Sequence, residues 1–222
     1  MPNRRKEVIA TGEVYHIYNR SISDTEIFNQ KRPLNHAIKL IDYYQYHQKL
    51  RYSKFQALTL ENRLLYLGGL DTKNPLVEIF CYAFMPNHFH FLLKQMQDNG
   101  IREFISNFQN GFAKYFNLRQ NREGGLFQSP FKSKRIVKDE DLLQVSRYIH
   151  LNPVTSFLIK HEQLKDHLFT SYPNYVGTGS CPFVKTHLIL ELAGTSEKYE
   201  KFISDHVDYQ RKLDFIKHLL HD

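Results

Sequence analysis

The chain contains no tryptophan, only two cysteines and three methionines, and no apolar run near the roughly twenty residues that a membrane-crossing helix needs. Cys81 lies in an apolar stretch and Cys181 far along the chain, so neither a disulfide framework nor a CxxC zinc site is available, and a reducing, cytoplasmic setting is expected. Met1 to Glu7 is polar and basic without an apolar centre, so no export signal is read there. Internal repeats and low-complexity tracts are absent, which excludes solenoid and linker-like readings.

What is present is apolar and basic. Hydrophobic residues make up 41% and aromatics 14% of 222 residues, enough for one substantial core. Lys and Arg number 30 against 23 Asp and Glu, a formal charge of +7 that favours polyanionic partners.

Hydrophobic periodicity divides the chain into elements. Glu13 to Arg20 alternates bulky and polar residues as a strand does. Leu34, Ala37, Ile38 and Ile41 fall at helical spacing, which predicts a helix from Pro33 to about Gln48. The segment 49–75 has no single period; helix through Leu64 to Leu67 is interrupted by Gly68, Gly69, Asn74 and Pro75. Val77 to Met85 and His88 to Lys94, joined at Pro86-Asn87, predict a hairpin of two interior strands. Ile101, Phe104, Ile105, Phe108, Phe112 and Tyr115 form one face of a helix that Gly124-Gly125 closes. Leu126 to Val137 reads as a turn and a basic strand, and Asp139 is a candidate N-cap for a helix ending at Asn152, because Pro153 disfavours helical geometry there.

That order matches the ferredoxin-like split βαβ plan: an α+β fold, an antiparallel sheet with helices on one face, a further packed helix and additional C-terminal helices. Gly177, Gly179 and Pro182 mark a break, so residues 1–178 are read as the catalytic domain and 179–222 as a helical extension. Phe183 to Asp222 is expected to form two or three short charged helices.

Two local patterns carry chemistry. On a strand, His88 and His90 point to the same face while Phe89 and Phe91 enter the core, and two neutral imidazoles at that spacing can share a cation. In the helix after Asp139, Leu142, Val145 and Ile149 line one side, whereas Gln144, Tyr148 and Asn152 line another and offer a phenol and a carboxamide one turn apart. Spacing alone does not select Tyr148 among 14 tyrosines. His16 and His150 are explained by strand packing and helix surface, respectively.

The strings AFMPNHFHFLLK (Ala83 to Lys94) and RYIHLNPV (Arg147 to Val154) together resemble the HUH single-tyrosine transposases, in particular the REP-associated tyrosine transposase branch. YHIYNRS, KYFNLRQNREGGLFQSPFKSKRI and SYPNYVG follow in the family's order, so the similarity spans roughly residues 8 to 178. The resemblance implies a ferredoxin-like domain in which His88 and His90 bind Mg²⁺ or Mn²⁺, Asn152 completes the metal site and Tyr148 is the nucleophile. Where the family usually carries a tryptophan after the glycine turn, this chain has Phe127, which bears on a local DNA contact and not on the chemistry.

The implied activity is cleavage and rejoining of single-stranded, hairpin-bearing DNA through a 5′-phosphotyrosine. Arg119, Arg122, Lys132, Lys134 and Arg135 would hold the phosphates, with Phe127 and Phe131 stacking on bases. Two rivals stand beside it. One is a domesticated protein that binds hairpin DNA without strand transfer; the other is a zinc hydrolase, which needs a third strong ligand beyond the HxH pair. No membrane partner is expected. The resemblance leaves open whether Tyr148 serves its own subunit, because the family includes monomers as well as homodimers that exchange this helix.

Overall fold

A computed structural model describes residues 8–207. The basic leader, residues 1–7, and the part of the expected C-terminal helices beyond residue 207 lie outside the described residues. Four strands, β1 (Val14–Arg20), β2 (Val77–Met85), β3 (His88–Gln95) and β4 (Lys132–Ile136), form one antiparallel sheet in the order β2-β3-β1-β4. This is the ferredoxin-like order, reached because each helix between strands returns the chain to the sheet.

Alternation along β3 decides what each face of the sheet does. Phe89 and Phe91 point toward α4 (Gly100–Gln120), where their rings lie 5.3 Å from Phe108 and 5.9 Å from Phe104, respectively. α1 (Lys31–Tyr44) packs beside α4, and this phenylalanine-rich layer is the main core. α1 and α4 thus give the expected helical face. His88 and His90 point the other way, toward α5 (Asp139–Thr155), which lies across β2 and β3.

Two expectations are corrected in detail. β3 is interior, but β2 is an edge strand; eight of its nine residues are nevertheless buried, because backbone bridges from Thr170 to Ala83 and from Val184 to Ile79 cover that edge. Helix α5 does not stop at Asn152 but continues to Thr155 with Pro153 inside it. Burial of Leu151 and Val154, both fully inaccessible, outweighs the local cost of the proline. The segment 49–75 holds the expected helix through Leu64 to Leu67, α3 (Leu60–Gly68), which ends at the glycines, preceded by one short helix, α2 (Tyr52–Gln56).

After α6 (Tyr172–Tyr175), two helices of the expected extension, α7 (His187–Ala193) and α8 (Ser196–Ser204), pack against α5. His150, expected on the helix surface, is fully buried at this junction; its Nδ1 lies 2.8 Å from the Tyr199 hydroxyl and its Nε2 2.8 Å from Ser171 Oγ. The Tyr199 hydroxyl also donates to Ser146 Oγ at 3.0 Å, so one polar network ties α5 to α8 and to the chain before α6.

Gly100 starts α4 against the backbone entering β2. A Cβ there would sit 2.2 Å from the Leu76 carbonyl oxygen, which is backbone and cannot swing aside. Gly100→Ala is therefore expected to lower the urea unfolding free energy by about 1–3 kcal/mol, and an unchanged midpoint would contradict the tight approach.

Candidate functional site

The face of the sheet turned toward α5 carries the chemistry. Cross-strand pairing sets Tyr18 opposite His90 and Arg20 opposite His88 on β1, and Lys132 opposite Tyr18 and Lys134 opposite His16 on β4. Directly opposed residues share a face, so three histidines, two lysines, an arginine and a tyrosine are gathered from three strands. A cleft of about 460 Å³ opens over them, lined by Tyr18, Asn19, Arg20, His88, His90, Gln128, Lys132 and Tyr148.

Tyr148 projects into this cleft from α5 and is 38% exposed. Its ring centroid lies 5.6 Å from that of His90 and 5.9 Å from that of His16, both edge-on. The phenol thus stands beside the imidazoles of its own chain, held there by a helix whose far side is packed on the C-terminal helices.

The three imidazoles are neutral at physiological pH. Burial lowers the pKa of His88 to about 4, helped by the nearby Arg20 cation and opposed by Asp24. Burial and then Lys134 bring His16 to about 4. His90 lies well below the ordinary value through burial, with His16, His88 and Arg20 adding to it. A neutral imidazole has one bare ring nitrogen, the form that binds metals.

The hydrogen bonds around these rings are specific. His88 Nδ1 lies 2.6 Å from Asn87 Oδ1, and the Asn87 amide is oriented by donating from Nδ2 to Asp24 Oδ1 at 3.2 Å. His90 Nδ1 lies 2.9 Å from His16 Nε2. His90 Nε2 is buried and has no hydrogen-bond partner. An orphaned buried ring nitrogen on the cleft side of the sheet fits a cation, because leaving it unsatisfied costs free energy that a ligand would recover.

Other residues singled out from sequence are distributed unevenly. Lys132 lines the cleft with its ammonium 5.8 Å from the Tyr18 ring centroid, and exposed Lys134 lies on the same face. Asn152 is buried and does not line the cleft; its Nδ2 donates to the Tyr148 carbonyl at 3.0 Å. Arg135 faces the opposite side and pairs with Glu13 at 2.6 Å. Arg122 fastens the end of α4 through Asn117 Oδ1 at 2.8 Å and the Gly125 carbonyl at 3.2 Å. Arg119 stacks over Tyr115 within the α4 layer. Phe127 is half-buried at the core edge, where it packs on Phe28, Phe89 and Phe112. Phe131 is half-buried against the core at the start of β4.

His16, Tyr18, Asn87 and Gln128 belong to the site or its support and were not selected from sequence. His16 and Tyr18 could have been found only by their alternation with His88 and His90 across a strand pair, which requires knowing that β1 neighbours β3; Asn87 is signalled by its place in the turn just before His88, and Gln128 by no local pattern.

Comparisons with known proteins bear on the fold. No family model matches the chain, and no curated protein matches it. Among solved structures, a REP-associated tyrosine transposase bound to a REP hairpin is similar over 81% of this chain and 89% of its own, with a TM-score of 0.50 and 16% sequence identity. The shared feature is the α+β architecture with its four-stranded antiparallel sheet. Among the described residues, no helix is long and apolar enough to cross a membrane.

Proposed function

We propose that this protein is an HUH-type single-tyrosine transposase of the REP-associated kind, which nicks and rejoins single-stranded, hairpin-bearing DNA. The observation that carries the reading is the meeting of Tyr148 with His88 and His90 in one basic cleft of one chain. The structural neighbour was solved with a REP hairpin, which supports DNA of that class as the partner.

His88 and His90 would hold a divalent cation, Mg²⁺ or Mn²⁺, through their Nε2 atoms. The resemblance assigns the third ligand to Asn152; its side chain lies buried outside the cleft with Nδ2 on the Tyr148 carbonyl, so it would have to turn Oδ1 toward the histidines to take that place. When bound, the cation neutralises charge at a non-bridging phosphate oxygen. Two imidazoles leave the other coordination positions to oxygen, which suits a metal shared with substrate phosphate, with Mn²⁺ accepting the nitrogen ligands more readily than Mg²⁺.

The protein's own part is placement and charge. Lys132 and Lys134 draw the strand's phosphates to the histidine face, and the cleft aligns one phosphorus with the Tyr148 oxygen. That oxygen forms a bond to phosphorus as the bond to the 3′ oxygen breaks; the phenolic proton leaves to solvent, and the departing 3′ oxygen takes one up. The product is a 5′-phosphotyrosine and a free 3′-hydroxyl, and attack by a second strand's hydroxyl reverses the step without ATP.

The zinc-hydrolase reading finds no support in the ligand set. Among the described residues, no group of three His, Cys, Asp or Glu side chains is arranged to hold a metal ion.

Incubation of the full chain with hairpin-bearing single-stranded DNA and Mn²⁺ should give a covalent protein–DNA adduct on a denaturing gel. Tight binding without any adduct would favour a hairpin-binding protein that does not cut. In equilibrium binding to the same DNA at several salt concentrations, Lys132→Ala should weaken binding to every DNA sequence and reduce the slope of log affinity against log salt by about 1. An unchanged slope would remove Lys132 from the DNA path.

A further inference from the structure

His90 sits on the central strand with one ring nitrogen engaged and the other orphaned, and the engaging partner is another histidine. The two rings are 20° from coplanar with centroids 5.1 Å apart, much farther than the 2.9 Å between His16 Nε2 and His90 Nδ1. They therefore meet edge to edge along the hydrogen bond and are not stacked face to face. A bond between two neutral imidazoles contains one proton, so two arrangements exist. If His16 donated, His90 would carry its own proton on Nε2, and that N–H would be buried with nothing to accept it. If His90 donates from Nδ1, its Nε2 carries only a lone pair toward the cleft.

The second arrangement leaves no buried donor unsatisfied, and it repeats what is seen at His88. There Asn87 Oδ1 can only accept, so His88 Nδ1 donates and Nε2 keeps its lone pair. Asn87 is itself oriented through Asp24. Both histidines are thus gripped on the Nδ1 side, one by a carboxamide oxygen from the hairpin turn and one by an imidazole from the neighbouring strand.

We infer that His16 is a positioning residue: as hydrogen-bond acceptor it fixes His90 in the Nδ1–H tautomer, as Asn87 does for His88, so that both Nε2 lone pairs face one cation. This deepens the metal-dependent reading above and rests on it for its functional meaning. The tautomers belong to the metal-free protein and are read independently of it.

Two measurements test the assignment. Nitrogen-15 imidazole spectra of the metal-free full chain at neutral pH should show His88 and His90 protonated on Nδ1. Finding either ring as the Nε2–H form overturns the inference, whatever the protein does with metals. Mn²⁺ titration then compares the wild type with His16→Leu, which fills similar space without an acceptor, and His16→Gln, whose Oε1 can still accept. His16→Leu should lose about 10–100-fold in Mn²⁺ affinity, and His16→Gln should recover most of it. Thermal unfolding of both variants checks that they fold, and the glutamine variant provides the comparison should the leucine variant fail. Wild-type affinity in His16→Leu, or a loss that His16→Gln does not restore, rejects the positioning role while the transposase reading stands. If the wild type takes up no Mn²⁺ and substituting His88 or His90 changes nothing, the metal-dependent reading falls and the role of His16 falls with it.

Discussion

Tyr148→Phe is expected to abolish the covalent DNA adduct, a loss of about 10³-fold or more in strand cleavage, while leaving hairpin binding within about twofold. The substitution removes only the hydroxyl oxygen. The ring keeps its edge-on contacts with His90 and His16, and the helix beneath it is secured by His150, Ser146 and Arg147. The result separates mechanisms that share a metal. A water nucleophile activated by a cation at His88 and His90 would survive the change, whereas attack by the tyrosine would not. Cleavage at wild-type rate by the phenylalanine variant would exclude the phosphotyrosine route.

The second large effect is on acid stability of the metal-free protein, because several histidines are buried in their neutral form. Burial lowers His16 and His88 to about 4 and His150 to about 3 from an ordinary value of 6.5. The sign follows from which state binds protons. Above pH 6.5 neither the folded nor the unfolded chain protonates these rings, and they contribute nothing to the pH dependence. As the pH falls below 6.5, the unfolded chain takes up protons that the folded chain refuses until pH 4 or 3, so stability drops across that window and levels off below it.

By linkage each such histidine costs about 2 kcal/mol by pH 5. Three together, about 6 kcal/mol, reach the lower end of the roughly 5–15 kcal/mol that holds a domain folded. Urea midpoints measured with a chelator present should therefore fall steeply between pH 6.5 and 4.5. A flat profile over that range would show that the rings are reached by water. His150, the most enclosed of the three, should go on lowering stability from pH 4 to 3, where His16 and His88 have levelled off.

Much of the scaffold was legible from local pattern. The strand β2 was bounded correctly by its run of β-formers, β3 to within one residue, and the helical face from Ile101 to Phe112 was marked by apolar spacing, because these segments owe their structure to burying one side. The boundary at Pro153 was misplaced for the converse reason: a local steric preference yielded to burial of the residues around it, which no local signal reports. The leucines of α3 make the same point, since Leu60, Leu64 and Leu65 are largely exposed although they are as apolar as any core residue.

The sequence by itself determined the order of elements, the antiparallel α+β plan, the outward direction of His88 and His90, and the basic character of the strand from Lys132 to Ile136, because each follows from side-chain period and charge within one segment. Only the tertiary structure decided which segments become neighbours. Pairing β1 with β3 set His16 against His90, laying α5 across the opposite face brought Tyr148 to the imidazoles, and packing at the end of α4 engaged Phe127 with the core phenylalanines and Arg122 with Asn117. Contacts between residues far apart in the chain depend on which buried surfaces fit together, and that fit is a property of the folded whole.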